Sequence, residues 1–376
     1  MERQLNSDVV RASLVAHGVA SGAIRLAHTD SHARVGPGPC VALTREEREA
    51  RLDAQLAPGA TRPLGAGNRG QLEEPDPLRT CFEKDLDRIK YARPFRRLAG
   101  KCQVFLAPDD IHLRTRMTHT LEVAQVAIAI SSAVGLNDTL AEAIAMGHDC
   151  GHGPGGHAAE DAFEPYVPGG YDHALYGADV VMREFNLCKE TLDGIRQHSW
   201  RLSAPSTPEG EVVSLADRIA YVGADYEDAV RTGILVPSDL PLRVQERLGL
   251  HQPDQTGVLI GAVVEAVLAT GQVGITEWAA EALDDFRAFN YERIYTRPVA
   301  ARRNHQMVTM LQALVEYYGD APGRIPAVAS GEWEAPTSGE ADALAMAVRY
   351  VSGMTDNFAI AQARAIGYVI DLPKGI

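Results

Sequence analysis

Apolar residues recur at every third or fourth position through most of the chain beyond residue 76, a period that predicts helices rather than strands. In DPLRTCFEKDLDRIKYARPFRRL the helical spacing falls on Leu78, Phe82, Leu86 and Ile89, with Pro77 at an early helical position. Helices are predicted at 120–134, after His119, and at 139–147, where Asp138 and a Thr139-x-x-Glu142 capping box mark the start. Past a GHGPGG turn follow 157–164, 173–185 and 189–199, then a polar, proline-broken loop at 202–209 and a helix at 210–231. The last third reads as amphipathic helices near 240–248, 255–270, 278–294, 299–318, 339–352 and 356–366. A short hairpin joining Cys102–Phe105 to Ile111–Leu113 is the one place where strands fit. The fold class is all-α.

Residues 1–77 follow a different pattern. They carry GPGP and APGATRPLGAGNRG and few large apolar residues, with short helices at 4–17 and 44–55 and a flexible loop or linker at 58–70. The chain is therefore expected to divide into an N-terminal extension (1–77), partly irregular, a helical core (78–320) and a C-terminal helical segment (321–376) packed on that core.

Composition narrows the class. With 376 residues, 45% apolar and 23% charged, the chain can bury a large core as an ordinary soluble protein. A formal net charge of −14 argues against nonspecific binding to nucleic acid or anionic membranes. No apolar run approaches bilayer length, and the start of the chain lacks the basic-then-apolar pattern of a signal peptide. The five cysteines are scattered without a C-x-x-C, which fits reduced thiols in cytoplasm. Cys150 reads as a small buried residue rather than a catalytic thiol.

The chemistry gathers between Ile111 and Asp161. His119 opens one apolar helical stretch and His148-Asp149 closes the next. Imidazole nitrogen and carboxylate oxygen together suit divalent ions. These ligands can converge only if the two helices pack side by side, and the best fourth candidate is Asp217, an acid in the apolar helix SLADRIAY. A His-Asp pair alone arises by chance, and a lone histidine on an apolar helix is more often a satisfied core residue. What changes the weighing is that all four sit in or beside apolar runs, where burial without partners is costly.

A basic run from Arg79 to Arg116 leads into this stretch and points to an anionic substrate. A solvated helix face with i,i+4 pairs covers Lys84, Arg88 and Lys90. Arg116, three residues before His119, can be aimed by a helical turn at whatever the metal binds. On the later helix, Asp217, Tyr221 and Asp225 are spaced i, i+4, i+8, so they form either a wall of a ligand pocket or a core tyrosine beside a surface acid.

His119, His148-Asp149 and Asp217 together resemble the HD-domain metal phosphohydrolases. FRRLAGKCQVF, HLRTRMTHTLEVAQ, GHDCGHGPGGHAAE, LADRIAYVGADYEDAVRTGIL and YVSGMTDNFAI are similar to the signature blocks of the deoxynucleoside triphosphate triphosphohydrolase (dGTPase-like) family, from about Arg79 to Phe358. The resemblance implies an HD-domain helical fold and hydrolysis of a deoxynucleoside triphosphate to deoxynucleoside and inorganic triphosphate. It implies one divalent ion per site (Mn, Mg, Co, Fe or Zn) on His119, His148, Asp149 and Asp217. His152 and His157 would face the α-phosphate and the reacting oxygen, with Glu160 orienting His157. Arg116 and Arg218 would contact phosphate, and Gln103, Tyr221 and Asp225 would line the deoxyribose. A homo-oligomer (tetramer or hexamer) and a regulatory nucleotide are also implied. The alternatives are another HD-type nucleotide phosphohydrolase (a nucleoside monophosphatase or phosphodiesterase) and a non-catalytic nucleotide sensor. The chain departs from the family at Gly153-Pro154-Gly155-Gly156, where a looser loop is expected, and at Ala174, Tyr176 and Ala224.

Overall fold

A computed structural model of the chain describes residues 18–21, 24–26, 32–37, 40–106, 112–334 and 339–369. It contains two compact units, Met1–Leu43 and Thr44–Ile376. In the first, β1 (Gly18–Ser21) pairs antiparallel with β2 (Ile24–Leu26). The helix expected at 4–17 lies outside the described residues.

The second unit is helical. Its first helices are α1 (Arg45–Gln55), α2 (Cys81–Tyr91) and the short α3 (Arg93–Arg97). α2 starts later than the apolar spacing suggests. Thr80 and Glu83 form a capping box there, while the Asp76 carboxylate accepts the N–H groups of Leu78 and Arg79 in a turn that leaves Leu78 exposed. The Gly/Pro-rich stretch 58–70 is a loop, but it is fastened rather than flexible. Thr61 donates through its N–H and its hydroxyl to the fully buried Glu209, at 3.0 and 2.7 Å. The buried Arg69 guanidinium donates to Asp85 at 2.5 Å and to the Cys81 carbonyl at 2.9 Å.

Two long helices with a shorter one between them carry most of the expected chemistry. α4 (Arg116–Val134) begins at a Thr115 capping box and ends at Gly135, whose φ of 72° is the left-handed conformation that glycine adopts at low cost. α5 (Asp138–Gly147) is capped by Asn137, which accepts the Leu140 N–H at 3.1 Å. The box expected from Thr139 and Glu142 does not form, because Asn137 is the cap and Thr139 already lies inside the helix; Glu142 reaches across to Lys90 at 2.7 Å instead. α9 (Pro208–Arg231) is capped by Thr207, with Pro208 supplying the first helical position, where its missing N–H costs nothing. α4 packs against both α5 and α9, and α2 against α5.

Between them lie α6 (His157–Phe163), α7 (His173–Tyr176) and α8 (Lys189–Gln197). The single helix expected at 173–185 is broken. α7 loosens into a π turn at Gly177–Val181 and a 3₁₀ turn at Arg183–Phe185, ending at Asn186 with φ 49°. The cause is a close backbone approach: a Cβ on Gly151 would stand 2.0 Å from the His173 carbonyl oxygen and 2.5 Å from the Gly177 nitrogen.

The chain continues through α10 (Leu242–Leu248), α11 (Gln252–Thr270), α12 (Glu277–Asn290, extended by a π turn to Tyr295), α13 (Pro298–Asp320), the unanticipated short α14 (Pro326–Ala329), α15 (Glu340–Ser352) and α16 (Asp356–Ala365). One apolar cluster lies among α2, α4, α5, α8, α9, α11 and α12, and a second joins α6, α13, α15 and α16. The hairpin expected near residue 102 reduces to a single bridge between Cys102 and Thr115, with Ile111 outside the described residues.

Candidate active site

The packing of α4 against α5 and α9 brings three of the expected ligands together. His119, His148 and Asp217 each offer one ligand atom, all within 4.8 Å of one another. His119 Nε2 stands 3.0 Å from Asp217 Oδ1, and His148 Nε2 stands 3.9 Å from the same oxygen. Asp149 falls in an adjoining group that shares His148 and adds His198, its Oδ1 lying 3.4 Å from His148 Nε2.

The donor set fits a divalent ion. His148 Nδ1 lies 2.6 Å from the Ala145 carbonyl, which can only accept, so Nδ1 carries the hydrogen and Nε2 keeps its lone pair. That nitrogen is buried without a hydrogen-bond partner and faces two carboxylates, an arrangement that a cation satisfies.

Arg116, fully buried on the first turn of α4, donates to Asp149 Oδ2 at 2.8 Å. Burial alone would push the Asp149 carboxyl up, but the Arg116 guanidinium bonded to it holds it well below the usual carboxylate range. His152 Nε2 is 3.2 Å from Asp149 Oδ1, and burial with the neighbouring Arg116 and His173 keeps its imidazole neutral. The loop that follows is tightly held, contrary to the looser loop expected. Gly151 to Gly156 are all buried, Gly155 and Gly156 have φ of 74° and 63°, and a Cβ on Gly156 would sit 2.7 Å from Arg116 Nη2. Glycine at that position is what lets the loop lie against the guanidinium.

His157, at the start of α6, is 69% exposed at its side chain, and its Nδ1 meets Glu160 Oε2 at 3.1 Å. The other Glu160 oxygen accepts from His173 Nδ1 at 2.5 Å and from the His173 N–H at 3.2 Å. His173 and His198 were not singled out as site residues from the sequence, yet they sit between Glu160 and His148. His173 stacks on His152 with ring centroids 3.7 Å apart, its Nε2 is 3.1 Å from His198 Nε2, and His198 stands 5.0 Å from His148 ring to ring. The signals were faint: an Asp172 N-cap before His173, and a single histidine closing α8.

The protonation pattern follows from the partners. His198 Nδ1 faces the Ile195 carbonyl at 2.8 Å and must donate, and burial pushes this imidazole down to about 4, so its Nε2 is an acceptor. His173 then donates from both nitrogens, to His198 and to Glu160, and is an imidazolium. Burial disfavours that charge, but Glu160 outweighs it and raises the His173 pKa. Glu160 itself is pushed up by burial and pulled well below its ordinary range by His157 and His173.

The remaining expected residues are arranged differently. The Arg218 guanidinium lies over the Trp200 ring, 3.5 Å from its centroid. The Tyr221 hydroxyl accepts from Arg287 Nε at 2.7 Å, and the buried Asp225 accepts from the Tyr295 hydroxyl. Gln103 lies in the loop after α3 with its side-chain oxygen buried and unpartnered. Among the described residues no hydrogen bond joins Gln103, Arg218, Tyr221 or Asp225 to the histidine cluster. The basic run is largely taken up by internal ion pairs: Arg79 with Asp76 and Asp87, Arg88 with Glu73, Lys90 with Glu142, and Arg114 with Glu122, Glu227 and Asp228.

A helical bundle with histidines and aspartates converging from three helices, and a His-Asp pair at the centre, defines an HD-type phosphohydrolase. The HD domain description matches residues 116–222, and the phosphohydrolase-associated domain description matches residues 273–365. A deoxyguanosinetriphosphate triphosphohydrolase-like protein of Caldanaerobacter subterraneus is 36% identical over 329 residues, covering 85% of this chain and 94% of the relative. Proteins of the same description from Clostridium perfringens and Clostridium tetani are 37% and 34% identical, covering 77% and 81% of this chain and 87% and 90% of theirs. The chain belongs to this deoxyguanosinetriphosphate triphosphohydrolase-like family of HD-domain proteins.

Proposed function

We propose that the protein hydrolyses deoxynucleoside triphosphates to the deoxynucleoside and inorganic triphosphate, with one divalent metal ion held by His119, His148, Asp149 and Asp217. The observation that carries this reading is the unpartnered, buried His148 Nε2 facing two carboxylates beside the Arg116–Asp149 pair. The names of the relatives support the substrate class.

A bound divalent ion supplies Lewis-acid polarisation of a phosphoryl oxygen and a lowered pKa for bound water. Arg116 is held in place by Asp149, and its buried Nε has no partner, which leaves a fixed donor for the charge of a phosphate. His157 keeps Nδ1 against Glu160, so its exposed Nε2 is the atom that exchanges a proton with the ester oxygen. The His173 imidazolium fixes the Glu160 carboxylate that aims His157. His152, neutral and braced between Asp149 and His173, lines the α-phosphate. The family resemblance assigns phosphate contact to Arg218 and the deoxyribose to Gln103, Tyr221 and Asp225, none of which is hydrogen-bonded to the histidine cluster among the described residues. The test is to incubate the purified chain with each deoxynucleoside and ribonucleoside triphosphate, with Mn²⁺, Mg²⁺ or Co²⁺ and with chelator. Turnover of the deoxy substrates that chelator abolishes is expected. Turnover unaffected by chelator and by His148→Ala would reject the site.

A further inference from the structure

The fold brings together two cysteines that lie far apart in the chain. Cys81 is the first residue of α2, and Cys188 is the N-cap of α8. Both are buried. Gly67, with φ 83°, lies over the pair: a Cβ there would stand 2.4 Å from Cys188 Sγ, 2.7 Å from Cys81 Cβ and 3.3 Å from Cys81 Sγ. Glycine at that position leaves the two sulfurs room to meet, and the Cys188 thiol donates to the Cys81 sulfur. The backbone around them is pinned. Cys188 bridges to Arg69 in antiparallel fashion, and the Lys189 N–H donates to the Asn68 carbonyl at 2.8 Å. The Cys188 N–H donates to Asp85 Oδ2 at 2.9 Å, and the Arg69 guanidinium joins Asp85 to the Cys81 carbonyl.

The surroundings make the two sulfurs unequal. The bond from Cys188, with the Leu64 N–H and the Arg69 guanidinium, lowers the Cys81 pKa against the effect of burial, and the same bond raises that of Cys188. The first turn of a helix also favours a thiolate. Burial pushes Cys102 and Cys150 the other way, Cys150 up to about 12. A cavity of about 140 Å³ reaches Cys81 past Arg69, Lys84, Arg88 and the half-exposed Arg79, which is room for a small hydroperoxide.

We infer that Cys81 and Cys188 form a redox pair, in which a small hydroperoxide oxidises Cys81 and Cys188 resolves the product as a disulfide. The Cys81 thiolate attacks one oxygen of hydrogen peroxide. An S–O bond forms, the O–O bond breaks, and the departing hydroxide takes up the proton that Cys81 gave, leaving as water. Cys188 then attacks the sulfenic sulfur. The S–S bond forms, the S–O bond breaks, and the hydroxyl leaves as a second water with the Cys188 proton. The two thiols lose two electrons and the peroxide gains them. The disulfide ties α2 to α8, both of which pack on α5. The inference assumes nothing about the reaction at the histidine cluster.

The test treats the full reduced chain with hydrogen peroxide, blocks the remaining thiols with N-ethylmaleimide in denaturant and maps the peptides by mass. A linked Cys81–Cys188 peptide pair, short of two hydrogens and separated by dithiothreitol, is expected. Cys81 should lose its thiol at least about tenfold faster than Cys150. In Cys188→Ser, dimedone added with the peroxide should label Cys81, and in Cys81→Ser it should leave Cys188 unlabelled. No linked pair in the oxidised parent would overturn the inference, and that result stands even where a variant does not fold. So would oxidation of Cys150 as fast as Cys81, or dimedone on Cys188 in Cys81→Ser with none on Cys81 in Cys188→Ser.

Discussion

The carboxylate of Asp356 accepts the Gly155 N–H at 2.9 Å with one oxygen and the Cys102 N–H at 2.9 Å with the other, across 201 and 254 residues of chain. The first residue of α16 thus holds both the loop after the His-Asp pair and the segment before α4. The late block YVSGMTDNFAI therefore bears on the site without entering it.

Asp356→Ala leaves two buried N–H groups unpaired, each costing about 1–3 kcal/mol. The expected result is a lower urea midpoint, together with a fall in kcat that exceeds any change in metal affinity. Asp356→Asn, which keeps one acceptor oxygen, should fall between the two. A variant with parental stability and parental kcat would remove this link between α16 and the loop.

Glu160 holds His157 and His173 with different oxygens. Glu160→Gln keeps the shape but removes the charge that sustains the His173 imidazolium and aims His157. Loss of a general acid–base group typically costs about 10²–10⁴ in rate. The expected outcome is a kcat drop in that range with stoichiometric metal binding retained, read by metal analysis and steady-state kinetics on one sample. Activity within a few-fold of the parent would mean that Glu160 only shapes the loop.

Much of this was legible in advance because ligand chemistry and burial leave a joint trace. His119, His148, Asp149 and Asp217 are polar residues in or beside apolar helical runs, and Arg116 precedes His119 by just under one turn. What was hidden depends on partners far away in sequence. Ion pairing of the basic run needed Glu73, Glu142, Glu227 and Asp228, which no local pattern ties to it. The capping box at Thr139 lost to Asn137, whose side chain caps the helix earlier in the chain through the Leu140 N–H, leaving Glu142 to pair with Lys90. The break of the helix after Tyr176 comes from Gly151 pressing on the backbone of His173 and Gly177, a contact with no local sequence signature.

Asp225 is pushed up to about 7 by burial, with Tyr295 donating to it. An unfolded aspartate titrates near 3.9, so between about pH 4 and pH 7 the folded state binds more protons and stability falls as pH rises. Asp225→Asn removes this contribution. Subtracting the two unfolding curves measured without substrate should show the parent losing stability relative to the variant from about pH 4 to pH 7. A difference independent of pH over that window would contradict the burial of this carboxyl.

Tyr221 lies one helical turn beyond Asp217, with its hydroxyl held by Arg287. If the proposed reading holds and this ring packs under the sugar, it gives a 2′-hydroxyl neither room nor a partner. A buried unpaired hydroxyl costs about 1–3 kcal/mol, so discrimination of about tenfold or more is expected. Tyr221→Ala should narrow the ratio of kcat/KM for matched deoxy and ribo triphosphates while leaving metal affinity unchanged. An unchanged ratio would make Tyr221 a core residue only.

The central claim is cleavage of the ester bond between the 5′-oxygen and the α-phosphorus of a deoxynucleoside triphosphate, and the first products report on it directly. ³¹P spectra of dGTP turned over with Mn²⁺, recorded after chelation of the metal, should show inorganic triphosphate, rising in step with deoxyguanosine measured by chromatography of the same samples. Pyrophosphate with dGMP, or orthophosphate with dGDP, as the first products would contradict it.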